Sequence, residues 1–314
     1  RNNDVLYSYS YTSRHELYNK TDNRLNKTLV WTYDAVGNVT HKLDYQGELT
    51  TYQYDSANRL TAMSNSEYLQ VNYHYDGAGR LLDRILSNGA KTHYSYDRDN
   101  RLTSLKNISA KGGLLEELIY SHDEVGNITQ IEDLVSTKTT IFTYDALYRL
   151  ENVNSTNNTE DRAYTYDKVG NRKTETRNGV TYYYCYHLTN CNAAPQGNRL
   201  ENMRTGSSSG PLYRQFYYDE SGRMTSKKDG SGATIFIANY NGKGRAKSIN
   251  SGLYHYDSSD YRIQKNDKLY HLQGANIEAT YDSSGELQNK YLRGVVVDEV
   301  VNGFTYQPEG PNDW

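Results

Sequence analysis

Apolar and polar positions alternate with period two in short runs. In Thr51-Tyr52-Gln53-Tyr54 the tyrosines share one face, and Thr51 and Gln53 take the other. The same alternation places Val71, Tyr73 and Tyr75 together, and likewise Tyr94 with Tyr96, Phe142 with Tyr144, Tyr164 with Tyr166, and Phe216 with Tyr218. A period of two predicts strands. Each run ends on Tyr-Asp, reaches Gly or Asn four residues after the Tyr, and reopens on an aliphatic residue such as Leu60, Leu81, Leu102, Ile128 or Leu150. An Asp at that place accepts a backbone hydrogen bond two residues on, and Gly and Asn enter the left-handed backbone region at low cost. The unit is therefore strand, tight turn, strand. The one weakly helical stretch, Leu114 to Leu118, reads as an extended hairpin.

The unit repeats. Tyr33-Asp34 with Gly37, Tyr54-Asp55 with Asn58, Tyr75-Asp76 with Gly79, and Tyr96-Asp97 with Asn100 follow one another at intervals of 21 residues. Further copies are Tyr144-Asp145, Tyr166-Asp167 with Gly170, Tyr218-Asp219 with Gly222, Tyr256-Asp257, and Tyr281-Asp282 with Gly285; His122-Asp123 and Tyr240-Asn241 are degenerate. Tyr148 and Asp260 occupy the Gly/Asn position, so those two turns are expected to differ. A lone hairpin is marginal in water. Stacked hairpins make an all-β, quasi-one-dimensional antiparallel array. We read 1–314 as a single array: a degenerate leading repeat over 1–30, regular repeats over 31–180, an irregular insertion over 181–215, further repeats over 216–302 and a tail over 303–314.

Composition supports order. A mean hydropathy of -0.91 suggests disorder, yet the 314 residues include 33 Tyr against 4 Phe and 2 Trp. Disordered chains are poor in aromatics because nothing in them offsets the entropy of ordering. The net charge of -3 comes from 35 basic and 38 acidic residues mixed along the chain, with no basic stripe for nucleic acid. No run of eighteen apolar residues exists, so no membrane-spanning helix is expected, and the first thirty residues lack the pattern of a signal peptide. The start at Arg1 and the end at Trp314 read as those of a piece of a longer protein.

Candidate chemistry reduces to turn chemistry. Gly206-Ser207-Ser208-Ser209-Gly210 spells a nucleophile elbow, which requires a strand before it, a helix after it and partner His and Asp residues. Here it lies in a polar run ending at Pro211 and reads as a loop. The eight histidines form no close pair, and His74 and His93 face away from the tyrosines, so no metal site is expected. Asp97-Arg98-Asp99 lacks the central Gly and closing Glu of a calcium loop. An Asp at one turn position of every repeat is a turn former, since catalysis by paired carboxylates needs only two. Neither catalysis nor a cofactor is expected. Cys185 and Cys191 lie in the irregular insertion, where a disulfide and a pair of reduced thiols are both open readings.

The eleven motif copies resemble the YD repeats of the RHS family, found in bacterial polymorphic toxins, insecticidal toxin complexes and teneurins, and the likeness covers roughly Trp31 to Asn302. The run Glu278 to Leu287, with Tyr291-Leu292-Arg293-Gly294 and Asp298-Glu299, is similar to the start of the core that closes the bacterial shells. The resemblance implies a spiralling sheet that forms part of a hollow shell around a C-terminal toxin, secreted or delivered from a bacterial cell. Its implied partners are the rest of the shell, the enclosed toxin and a component of a delivery system. No Asp-Pro pair is present, so the family's self-cleavage motif is missing from this sequence. The alternative reading is a cell-surface adhesion module whose tyrosine-rich sheet binds carbohydrate or protein.

Overall fold

The computed structural model describes residues 6–65, 70–156, 160–187, 191, 197–273, 276–293 and 300–305. Among them the regular structure is entirely β, and strands pair antiparallel with their neighbours in sequence, as they do in succession from Lys91–Tyr96 to Lys138–Tyr144. Gly294, Asp298, Glu299 and the tail from 306 lie outside the described residues. The chain forms two compact units, residues 69–237 and residues 1–68 with 238–314.

The unit 69–237 is a meander. It runs Gln70–Tyr75, Leu81–Leu86, Lys91–Tyr96, Leu102–Ile108, Leu114–His122, Ile128–Asp133 and onward to Met224–Asp229. Leu114 to Leu118 opens the nine-residue strand Leu114–His122, the extended hairpin that its pattern suggests. At each Tyr-Asp turn the pairing shifts by one residue, as between His74 and Tyr75, Thr143 and Tyr144, and Thr165 and Tyr166. A left-handed residue followed by a one-residue bulge produces such a shift and strengthens the local twist. Deep burial is sparse: Val71, Tyr73, Cys185 and Met203 are the apolar residues of this unit that are buried among those described. A sheet with few buried side chains depends on its backbone ladder and on contacts between neighbouring strands. The Gly206 to Gly210 run is the short turn between Asn202–Thr205 and Leu212–Tyr218, with no helix after it. Cys185 and Cys191 are joined as a disulfide, their Cα atoms 4.4 Å apart.

The other unit brings together segments far apart in sequence. Its first six strands run from Tyr7–Tyr11 to Leu60–Asn65, and its later strands include Arg262–Lys265, Lys268–Gln273, Asn276–Tyr281 and Leu287–Arg293. The two groups meet through polar side chains. Lys20 Nζ donates to the Leu272 carbonyl at 2.8 Å, and Arg24 donates to the carbonyls of Ile263 and Tyr270 at 3.2 Å each. Lys42 pairs with Glu278, and Lys290 with Asp44. Tyr45 packs edge-on against both His271 and Tyr281, ring centres 5.5 and 5.4 Å away. Asp22 is fully buried; burial opposes its ionisation, and its neighbours His271 and Arg24 overcome that, holding the carboxyl below the usual range. Arg24 does most of this by geometry, at 2.6 Å, since His271 Nδ1 stands 3.9 Å away.

Breaking a buried ion pair from one side leaves an uncompensated charge, which costs about 3–5 kcal/mol, whereas exposed pairs contribute about 0–1 kcal/mol. Glu278→Ala should therefore lower the urea midpoint far more than Glu160→Ala, which removes the exposed partner of Lys138. Equal midpoints for the two variants would show that the Lys42 pair does not hold the segments together.

Candidate functional site

The Tyr-Asp turns are built alike. In the turn after Tyr96, the Asp97 amide donates to the Arg101 carbonyl at 3.0 Å and the Asn100 amide to the Asp97 carbonyl at 3.3 Å. Asp97 Oδ1 accepts the amides of Asp99 and Arg101, both at 2.9 Å, and Arg101 Nε donates to Oδ2 at 2.6 Å. The same set holds at Asp55 with Arg59, Asp76 with Arg80, Asp145 with Arg149, and Asp219 with Arg223. Where the sequence has Asn instead of Arg, the amide group of Asn38, Asn127 or Asn171 donates to Asp34, Asp123 or Asp167 at 2.8–2.9 Å. Each carboxylate is thus spent on its own turn. The Arg101 amide leads the contacts that hold Asp97 below the usual carboxylate range, with the guanidinium adding to it.

Tyrosine and arginine link one turn to the next. The motif tyrosine donates its hydroxyl to the carbonyl of the residue that reopened the chain one repeat earlier: Tyr54 to Val39 at 3.0 Å, Tyr96 to Leu81 at 3.0 Å, Tyr144 to Ile128 and Tyr166 to Leu150 at 2.7 Å. Arginine reaches the opposite way, Arg80 to the Asp97 carbonyl at 2.9 Å, Arg101 to Asp123 at 2.9 Å and Arg149 to Asp167 at 3.0 Å. On the way it lies over the next tyrosine ring, 4.8 Å from the centre of Tyr96 for Arg80 and 4.6 Å from that of Tyr166 for Arg149. Planar guanidinium over an aromatic face is a favourable electrostatic contact. Burial raises the Tyr96 hydroxyl above its ordinary range, so it stays a donor.

The RHS Repeat family profile matches residues 33–68 and 75–111, a stretch that holds the four regularly spaced turns. Residues 33–111 carry RHS repeats. No curated protein sequence matches it. Its fold is similar to that of a Photorhabdus luminescens Tc holotoxin pore with a mutated TccC3 component, at 18% identity and a TM-score of 0.52, over 84% of this chain and 15% of that one. It is also similar to a TcdB2-TccC3-TEV structure, at 16% identity and a TM-score of 0.51, over 91% of this chain and 20% of the other. The chain therefore spans a fifth or less of the chains whose fold it shares.

The geometry completes two further turns that lack the Tyr-Asp pair, one of them the Gly197-Asn198-Arg199-Leu200 turn that an insertion displaces from its expected place in the sequence. Tyr186 donates to the Arg172 carbonyl at 3.1 Å, Tyr218 donates to the Leu200 carbonyl at 2.7 Å, and Asn171 reaches Asn198 at 3.1 Å. Tyr186 and Gly197-Asn198-Arg199-Leu200 are therefore the two halves of one repeat, with residues 187–196 inserted between them in the sequence. Its signal was present, since Tyr186 stands 20 residues after Tyr166, but no Asp follows it. The leading repeat uses Thr12 in place of Asp: the Thr12 amide meets the Glu16 carbonyl at 2.8 Å, and Tyr33 reaches back to Leu17 at 2.8 Å.

The expectation that the Tyr148 and Asp260 turns would differ is corrected. Both residues adopt the left-handed conformation, at φ 59° and 75°, and their amides donate to the carbonyls of Asp145 and Asp257 at 2.9 and 3.2 Å. The hydrogen bonds to the motif Asp fix the backbone path, so the residue there takes the strain. Of the other singled-out side chains, His93 pairs with Asp83 at 2.7 Å and His74 lies exposed. Among the described residues no three His, Cys, Asp or Glu side chains converge as a metal cage would require.

Tyr148→Gly should stabilise the protein by about 1 kcal/mol, the order of the left-handed penalty for a residue with a side chain; a fall in the denaturant midpoint would mean that the ring packs usefully. Acid gives a second measurement. Asp55, Asp76, Asp97 and Asp219 are all depressed on folding, so their contribution is complete above the unfolded Asp pKa of about 3.9 and is lost as pH falls through the lower folded values. Stability of the wild-type protein should drop below about pH 4, and Asp97→Asn should reduce that drop. An acid limb of unchanged steepness in Asp97→Asn would count against the turn carboxylate.

Proposed function

We propose that this chain is a wall element: a stretch of RHS-repeat sheet that encloses and presents a separate toxin domain, secreted or delivered from a bacterial cell, and that performs no catalysis itself. The observation that carries this reading is the use of the motif side chains. The carboxylates bind turn amides, the tyrosine hydroxyls bind backbone carbonyls, and the arginines bind carbonyls and tyrosine faces, which leaves the motif no acid, base or nucleophile free for a substrate. General acid and base catalysis needs such a group within reach of the reacting atom. The fold shared with the Tc holotoxin structure supports the enclosing role, and implies as partners the remaining shell, its toxin and a delivery component. The adhesion alternative requires open aromatic faces. It is less well supported, because the rings of Tyr96, Tyr166 and Tyr218 lie under arginines.

Limited proteolysis of the protein expressed from its full reading frame tests the proposal. The enclosed domain should resist cleavage until the sheet is unfolded, and Asp97→Ala with Tyr96→Ala should expose it at lower denaturant. A domain cut equally fast in folded and unfolded protein would refute enclosure.

A further inference from the structure

In the Tyr-Asp turns one arginine answers one aspartate at 2.6–2.7 Å. That one-to-one match does not hold around Glu175. Glu175 is buried, and three arginines share it: Arg172 at 3.7 Å, Arg162 at 3.9 Å and Arg177 at 4.0 Å. Charge-assisted hydrogen bonds between such groups are about 2.7–2.9 Å long. The short contact to Glu175 instead comes from the Tyr184 hydroxyl, at 2.6 Å to Oε2. Asp161, the next carboxylate, accepts the Ser155 amide at 2.7 Å.

The arginines are also held in place. Arg172 lies over Tyr164, 4.5 Å from the ring centre, and Arg177 over Tyr182 at 4.4 Å. Arg162 and Arg177 stand directly opposite each other across the strands Arg162–Tyr166 and Arg172–Arg177. Like charges directly opposite in a sheet are destabilising, so the arrangement leaves positive charge to be answered from outside. A depression of about 480 Å³, lined by Asn154, Asp161, Arg162, Thr176 and Arg177, opens beside the pair. Guanidinium presents a planar fork of donors that matches carboxylate and phosphate oxygens, and fixing it on an aromatic face lowers the cost of ordering it on binding.

We propose that Arg162, Arg172 and Arg177 form a binding site for a compact oxyanion, a carboxylate or phosphate group, that completes the neutralisation Glu175 begins. The site is independent of the enclosing role. Its anion comes either free from solution or as an acidic side chain of a polypeptide laid on the sheet, and the two sources share the chemistry that the arginines recognise.

Titration calorimetry of the full chain at constant ionic strength tests it, with inorganic phosphate and a hexaglutamate peptide as the two probes and the arginine Nε–H resonances as the structural readout. Saturable binding that moves those resonances is expected for at least one probe: phosphate binding identifies a free anion as a sufficient ligand, and binding of the peptide alone identifies a polypeptide. Arg172→Gln combined with Arg177→Gln should weaken binding by at least about tenfold, as loss of charged donors does. Glu175→Gln keeps an acceptor for Tyr184, removes the competing charge and should tighten binding about tenfold, a modest share of a close charge pair's energy. Should the double variant fail to fold, the gain in Glu175→Gln still decides. Absence of saturable binding for both probes, binding that survives the double substitution, or no gain in Glu175→Gln would each overturn the proposal.

Discussion

The hydroxyl of one tyrosine, donated to a backbone carbonyl a repeat upstream, is the interaction on which the rest of this structure depends. The carbonyl that opens each second strand lies at the bulge, where the ladder shifts register and ordinary strand pairing is interrupted. A buried or half-buried carbonyl without a donor costs free energy. The Tyr96 hydroxyl satisfies Leu81, the Tyr166 hydroxyl satisfies Leu150, and each contact fixes the spacing between successive turns. Phenylalanine could fill the same space but could not donate. That requirement explains why Tyr54, Tyr96, Tyr144 and Tyr166 are tyrosines and not phenylalanines.

The direction of the contacts matters as much as their number. Tyrosine reaches upstream and arginine downstream, so each turn is tied to both neighbours through groups that belong to different repeats. Arg80 touches the Tyr96 ring and the Asp97 carbonyl together, and so couples the two systems. Such a sheet needs few deeply buried residues, which is the condition of the unit 69–237. In the other unit the same motif residues take on a second duty. Tyr281 packs against Tyr45 from a distant part of the chain, beside the buried Lys42 and Glu278 pair.

Much of this was legible beforehand. Alternation of apolar residues and the recurring Tyr-Asp gave the strands and the turns, because both signals are local and short in range. Leu114 to Leu118 shows the same strength, with a weak helical appearance overruled by its place between two repeats. The misses have a common physical origin. Tyr148 and Asp260 were read by their own backbone preference, yet the neighbouring Asp dictates the turn. Tyr186 was passed over because its partner carbonyl, Arg172, is recognised by distance in space and not by a following Asp. The division near residues 68 and 238 leaves no mark on the spacing of the motif, since contacts such as Lys20 to Leu272 join residues without any shared pattern. The arginine group around Glu175 likewise needs the register of three strands to become visible.

The repeat split between Tyr186 and Leu200 carries a practical consequence. Its two anchor points keep their places in the ladder, Tyr186 on Arg172 and Leu200 under Tyr218, although 13 residues of sequence separate them where 5 separate Tyr96 from Leu102. The sheet is indifferent to the length of chain between those anchors. Any Tyr-Asp turn is by the same logic a graft point, where a guest loop or small domain can be spliced in while the tyrosine and the reopening aliphatic residue keep the host in register.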